Sequence, residues 1–336
     1  MLPSKSSFID HVRWLRRAAA AHGAQVLVEL DSMRAFLRKD GRHWVLHPRF
    51  STEVDGIPRF FTTFADEADH LAGWAPAQPP AWPTAKDKLT FKRSAKRVGL
   101  AVPDCAVDDG AEIADIVVKR AFDSFGQHVH GPFRSSAERP IRVEEGEYYE
   151  RFVEGRALKV WYWNSRPVAL ERDASPVVVG DGHSTLRTLI QDRVRTRPRI
   201  TPNRLDRILS RCSTLLHYDG LTLDDIPAKG RTHRVEFRHG CEVMELSDRE
   251  TVDLRGDPDP QWRELHDAGA KLAQLLPEGM SNGAMYTVDA VQDANGRIWL
   301  LQMTAQPVVH PLVYDPLVRS LIALPAPVQA SAFEAP

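Results

Sequence analysis

Residues 147–190, EYYERFVEGRALKVWYWNSRPVALERDASPVVVGDGHSTLRTLI, constrain this chain most, because they dictate paired strands, a charged crossing and a helix start in fixed order. Residues 148–153 and 157–163 carry aromatic and branched side chains at strand density, residues 164–167 supply turn chemistry, and residues 168–171 begin a return strand. An antiparallel sheet follows. Beyond it, residues 177–179 run into Gly180-Asp181-Gly182, which permits a sharp reversal, and Ser184 or Thr185 can cap a helix beginning near Leu186.

A chain of 336 residues with 43% hydrophobic composition has ample material for a buried core and is too long for one simple layer, so two or three subdomains are expected. The formal net charge of -1 argues against a general polyanion-binding surface. Cys105, Cys212 and Cys241 stand far apart and form no CxxC pair, which suits a reduced cytoplasm. No apolar run approaches the roughly 18 residues of a membrane span, and the N-terminus lacks a signal-like apolar core with a cleavage site.

Residues 8–21 place Phe8, Val12, Leu15 and Ala18 at helical spacing among basic residues, with Gly23 set to end the helix. Packing against a strand at residues 25–30 is the expected use, with a membrane surface as the alternative. Residues up to 84 read as a small α/β lobe, closed by the proline-rich linker at residues 75–83. A helix at residues 86–98 ends at Gly99, and residues 116–119, IVVK, read as a short buried strand delivering a lysine. His128 and His130 lie two apart with no third ligand nearby and read as polar loop histidines. Residues 191–211 are dense in arginine and read as a solvated loop or a collar for an acidic substrate, with nucleic acid as the lesser alternative. Residues 262–276 form an amphipathic helix.

Residues 286–292 and 297–304 flank Asp293-Ala294-Asn295-Gly296, a strong hairpin signal. With Asn295 and Gly296 central, Ala294 pairs with Arg297, which sets Asp289 opposite Gln302 and Thr287 opposite Thr304. Asp289, Gln302 and Thr304 then share one side, and a loop two residues longer keeps that parity.

The ERFVEGR run, the strand and arginine after it, and VVVGDGHSTLRTLI resemble the ATP-grasp module of cyanophycin synthetases and, more distantly, glutathione synthetase and D-alanine–D-alanine ligase. The resemblance covers roughly residues 86–311. It implies an α+β (α/β) ATP-grasp fold of three lobes: an N-terminal lobe at 1–85, a central subdomain at 86–149 and a C-terminal subdomain at 150–312, with a tail at 313–336. It implies ATP as cofactor, with Lys88 and Lys119 on its phosphates. Ser124 and Gly126 offer backbone N–H groups, and Glu150, the backbone of Arg151 and Val153, and Phe152 surround the adenine. Glu154 stands in for a ribose-binding acid whose usual position holds Ala157. Arg172 and Arg238, the latter in a strand at residues 235–238, are the catalytic cations. Asp289, Gln302 and Thr304 are the positions of a magnesium site, and Gln302 and Thr304 replace the usual glutamate and asparagine, so Mg2+ is held weakly. The usual NxSxGG run after Arg238 is absent. The activity implied is an ATP-dependent carboxylate–amine ligase working through an acyl-phosphate on an amino acid or peptide. The altered metal positions motivate the alternative of a noncatalytic nucleotide or partner binder. A cytoplasmic location, no nucleic-acid or membrane partner, and an open question of homo-oligomerisation complete the reading.

Overall fold

The computed structural model describes residues 8–54, 57–63, 68–76, 82–108, 110, 112–122, 128–195, 200–239, 241, 243, 249–256, 259–280, 283–305 and 307–323. The N-terminal lobe sets helix α1 (Phe8–Ala21) against strands β1 (Gln25–Val28), β2 (Ala35–Lys39), β3 (Arg42–Val54), β4 (Ile57–Phe61) and β5 (His70–Ala75). Their order is β1-β2-β3-β4, with β5 on the far half of β3, and every pairing is antiparallel. Helix α1 buries Leu15, Ala18 and Ala19 on this lobe, as its spacing requires. No helix among the described residues is long and apolar enough to cross a membrane.

A short helix α2 (Pro83–Lys86) precedes α3 (Lys88–Arg97), and Asp87 between them caps α3 by accepting from the Leu89 N–H at 2.9 Å. The helix expected from residue 86 thus begins at Lys88. Next come β6 (Cys105–Ala106), β7 (Ala114–Arg120), β8 (His130–Ser135) and β9 (Glu147–Arg151), in the order β6-β9-β7-β8. The chain crosses to the next sheet at residues 152–155. Gly155 is obligatory there, because a Cβ would come within 2.2 Å of the Gln292 carbonyl oxygen.

Strands β10 (Arg156–Trp163) and β11 (Arg166–Asp173) form the hairpin read from the sequence. Strand β12 (Val177–Val179) leaves this sheet and leads through the GDG turn to α4 (Leu186–Arg195) and α5 (Pro202–Tyr218). Thr185 caps α4, accepting from the Thr188 N–H at 3.2 Å, while Asp181 accepts from the N–H groups of His183 and Ser184 and is held below the usual carboxylate range by the Ser184 side chain first and by those bonds. Strand β13 (Thr232–Arg234) pairs with β12, so the strand expected at residues 235–238 falls three residues early and Arg238 lies just beyond it. Then follow β14 (Arg249–Asp253), α6 (Arg263–Ala273), β15 (Met285–Gln292), β16 (Ile298–Ala305) and α7 (Tyr314–Ala323). The segment expected as a tail from residue 313 therefore holds a helix, and α7 buries Tyr314, Leu317 and Val318 in the N-terminal core.

The five-stranded sheet runs β14-β11-β10-β15-β16, antiparallel throughout. Alternation divides its faces. Leu158, Val160 and Tyr162 pack under α6 and α3 on one face, and Trp161, Trp163 and Ala169 enter the N-terminal core on the other. That second face has a polar half as well, which includes Lys159, Glu171, Asp173, Asp289 and Gln302.

Candidate functional site

Strand β7 alternates Ile116 and Val118 into an apolar cluster with Val117 and Lys119 on the opposite face. Register places Val117 beside Glu150 and Lys119 beside Tyr148, so these four share a face. Lys119 Nζ donates to Glu150 Oε1 at 2.6 Å, and Lys92 Nζ lies 2.7 Å from Oε2. Glu150 and Lys92 are each 1% exposed. Burial alone would raise the Glu150 carboxyl, but Lys119 and Lys92 outweigh it and hold the group below its usual range; burial draws Lys92 down while Glu150 opposes. Two ammonium groups face one carboxylate, and the surplus positive charge calls for an anion. With both oxygens engaged by lysines, Glu150 is a charge anchor here rather than the adenine reader expected from the resemblance.

Lys88 reaches the same place from α3. Its N–H donates to the Ala121 carbonyl at 3.1 Å and its Nζ to the Arg120 carbonyl at 3.0 Å, immediately beyond Lys119. Lys92, one turn after Lys88, was missed. The signal for it was the i, i+4 spacing from Lys88, on the helix face that also holds buried Ala95. Ser124 and Gly126 lie outside the described residues.

Arg238 and His239 stitch the two sheets together. Arg238 Nε donates to Glu236 at 2.8 Å and Nη1 to the Val129 carbonyl at 3.1 Å, beside His130, which pairs with Val118. Among the described residues its Nη2 is buried without a hydrogen-bond partner. His239 turns the other way, with Nδ1 2.6 Å from Asp173 Oδ2 and Nε2 3.7 Å from Glu171. Arg249 completes that corner at 3.0 Å from Asp173 and 3.1 Å from Glu171. Among the expected residues, Lys88, Lys119, Glu150 and Arg238 are therefore gathered about the end of β7.

Arg172 is not. It pairs with Leu158, which points under α6, so Arg172 lies on the face opposite Asp289, bonded to Glu250 at 3.0 Å with its guanidinium 5.5 Å from the Trp262 ring centre. A one-residue offset on a strand reverses the side chain. Arg249 supplies the guanidinium on the site face instead.

At the crossing, Phe152 meets Phe237 and Tyr218 edge-on at 5.1 and 5.5 Å between ring centres, making an apolar wall with Val117 and Val129. The Arg151 N–H donates to the Asp104 carbonyl at 2.8 Å, Val153 is half-buried, and Glu154 pairs with Arg234 at 2.8 Å. Glu154 is thus already neutralised by a guanidinium.

On the polar half of the large sheet, register sets Glu171, Lys159, Asp289 and Gln302 in one row across β11, β10, β15 and β16. The expected pairings Asp289 with Gln302 and Thr287 with Thr304 are present. Lys159 Nζ donates to Asp289 Oδ1 at 3.1 Å, and the Gln302 amide donates to Oδ2 at 2.6 Å. Burial would raise the Asp289 carboxyl, but Lys159, with His239 and Gln302, holds it below its usual range. Asp289 is the one anion of the three expected metal positions, and a lysine neutralises it. Among the described residues no group of three His, Cys, Asp or Glu side chains is arranged to hold a metal. These residues do not fit a protein-held magnesium ion, which wants anionic oxygen ligands.

A lysine-bearing four-stranded sheet, a short crossing and a larger antiparallel sheet make a mixed α+β architecture. No protein-family profile matches the chain. It is similar to the glutathione biosynthesis bifunctional protein GshAB of Streptococcus mutans, with 24% identity over 201 residues, 53% of this chain and 26% of that one. Among solved structures it is similar to a bifunctional glutathione synthetase from Pasteurella multocida, at 12% identity and TM-score 0.42 over 92% of this chain and 43% of that one. A D-alanine–D-alanine ligase from Bacillus anthracis gives 9% identity and TM-score 0.37 over 71% of this chain and 67% of that one. The chain spans about a quarter of the curated relative's length and less than half of the Pasteurella protein's.

Proposed function

We propose that the chain is an ATP-dependent carboxylate–amine ligase. A substrate carboxylate oxygen attacks the γ-phosphorus, the bond to the β,γ-bridging oxygen breaks and ADP leaves. An amine nitrogen then attacks the acyl carbon, loses its proton to solvent and expels inorganic phosphate. Lys88 and Lys119 hold the polyphosphate, Phe152 lines the base, and Arg238 faces the phosphoryl group in transfer, where charge spreads over the equatorial oxygens. The substrates are an amino acid or short peptide, in keeping with a cytoplasmic site of action. Residues 1–85, 86–149 and 150–312 serve as its three lobes.

The observation that carries this reading is the buried Nη2 of Arg238, which has no hydrogen-bond partner among the described residues, beside the strand that carries Lys119. Leaving such a donor unpaired costs about 1–3 kcal/mol, which an oxygen of the phosphoryl group in transfer would recover. The test screens ADP and phosphate release against pairs of amino acids and short peptides, then compares Arg238→Ala with wild type on the pair that responds. The variant is expected to lose turnover by about 10² or more while ATP affinity is nearly retained, because the contact forms in the transition state. ATP binding with no ADP release above background for any pair overturns the ligase reading, and an equal loss of binding and rate overturns the role of Arg238.

A further inference from the structure

We propose that Lys159 fills, with its own ammonium group, the place a divalent cation takes in a metal-using nucleotide site, so that the site binds the nucleoside triphosphate without magnesium. This rests on reading the residues about the end of β7 and this row as a nucleotide site. Lys159 stands on the central strand β10 with strands hydrogen-bonded on both sides, opposite Glu171 on one neighbour and Asp289 on the other. The strand cannot shift without dismantling the sheet, so its ammonium stays within a side-chain length of the Asp289 carboxylate.

Each oxygen of that carboxylate already accepts a bond: Oδ1 from Lys159 at 3.1 Å and Oδ2 from the Gln302 amide at 2.6 Å. A magnesium ion needs oxygen ligands at about 2.0–2.1 Å in near-octahedral order, so on binding Asp289 it must crowd or displace the ammonium at Oδ1 or the amide at Oδ2. The displaced ammonium would still lie close to the ion, like charge against like. An anionic phosphate can reach the ammonium without displacing either bond to Asp289. An ammonium carries three N–H donors. Among the described residues Asp289 is the hydrogen-bond partner found for Lys159, whose side chain keeps 23% exposure. The donors that remain suit phosphate oxygens.

The position also matches the rest of the site. His239 lies close enough to Asp289 to help hold it ionised, and its neighbour Arg238 reaches the sheet of Lys119. The row with Lys159 is therefore joined through two consecutive residues to the lysines at the end of β7. If Lys159 served the fold alone, the pair with Asp289 would be an ordinary ion pair, indifferent to ligand.

The test is calorimetric titration of ATP into the full chain, first in EDTA and then in excess magnesium. Wild type is expected to bind ATP in EDTA within about threefold of its affinity with magnesium. Lys159→Met, which keeps the aliphatic stem, is expected to weaken binding in EDTA by about tenfold or more. The double variant Lys159→Met, Gln302→Glu is expected to gain affinity on adding magnesium. Binding by wild type that is about tenfold or more tighter with magnesium overturns the inference and leaves the nucleotide reading standing. Unchanged affinity of a folded Lys159→Met in EDTA also overturns it, making the pair structural. Absence of ATP binding by wild type under both conditions removes the nucleotide reading itself, and this inference with it. The wild-type comparison requires no variant to fold.

Discussion

Glu150 carries two lysines on one buried carboxylate, and the asymmetry of that trio separates stability from binding. Removing the anion leaves two ammonium groups facing each other without water, so Glu150→Gln is expected to destabilise the chain by about 3–5 kcal/mol, measured by urea unfolding. Removing Lys119 leaves a balanced Lys92–Glu150 pair, so Lys119→Ala is expected to unfold near wild type yet bind ATP at least about tenfold more weakly, or about 1.4 kcal/mol. A fully stable Glu150→Gln would mean that the three charges are not coupled as drawn. The resemblance pointed to Lys88, Lys119, Glu150 and Arg238, each in a short pattern with a fixed offset from a strand or helix start. Lys92 and Lys159 escaped because their roles depend on partners 58 and 130 residues away, set by packing and register rather than by neighbours in the chain.

At the level of elements, alternation was both the best guide and the source of one error. The hairpin of β15 and β16 placed Asp289 opposite Gln302, yet the expected tight turn is one residue longer: Gln292 pairs with Ile298, and a bulge between Asp289 and Ala290 restores the register. The turn and the bulge cancel, and neither is visible as a sequence motif. On β11 the same alternation puts Arg172 on the face opposite Asp289, because it pairs with Leu158. The crossing at Gly155 has its cause in β15, whose Gln292 carbonyl occupies the space a side chain needs. Gly155→Ala is therefore expected to force the crossing and the end of β15 apart and to destabilise by about 1–3 kcal/mol, as overpacking does. Because the shift would move Phe152 and Glu150 relative to Lys159, ATP affinity should fall with it. A Gly155→Ala protein with wild-type unfolding and wild-type affinity would show that the two segments can part freely.

Over the whole molecule, the three-lobe division was read from linkers and motifs, whereas the return of the chain to its beginning was not. Helix α7 packs on the N-terminal lobe, and two buried histidines stand at that contact. His11 Nδ1 and the Tyr314 hydroxyl are 2.8 Å apart, and His310 accepts from the Leu312 N–H at 3.2 Å just before α7. Burial pushes His11 down to about 4, against the pull of Asp10. Burial also pushes His310 down to about 4, with Asp253 opposing and Arg255 assisting. A histidine whose pKa is lowered by folding stabilises the fold fully above its unfolded value of 6.5, and that contribution is lost as pH falls toward the folded value. Each contributes about 3 kcal/mol on the linkage relation, so unfolding free energy should hold steady above about pH 7 and decline between about 6.5 and 4. The carboxylates held low at the site, Glu150 and Asp289, lose their contribution as pH falls below their ordinary values of 4.5 and 3.8, at the foot of that window and beyond it. His310→Asn keeps an acceptor for the Leu312 N–H but has no proton to gain, so its stability should fall less steeply than wild type over the same range. Urea unfolding at intervals from pH 8 to about 4 reads both slopes, and parallel curves for the two proteins would place the acid sensitivity elsewhere than at this contact.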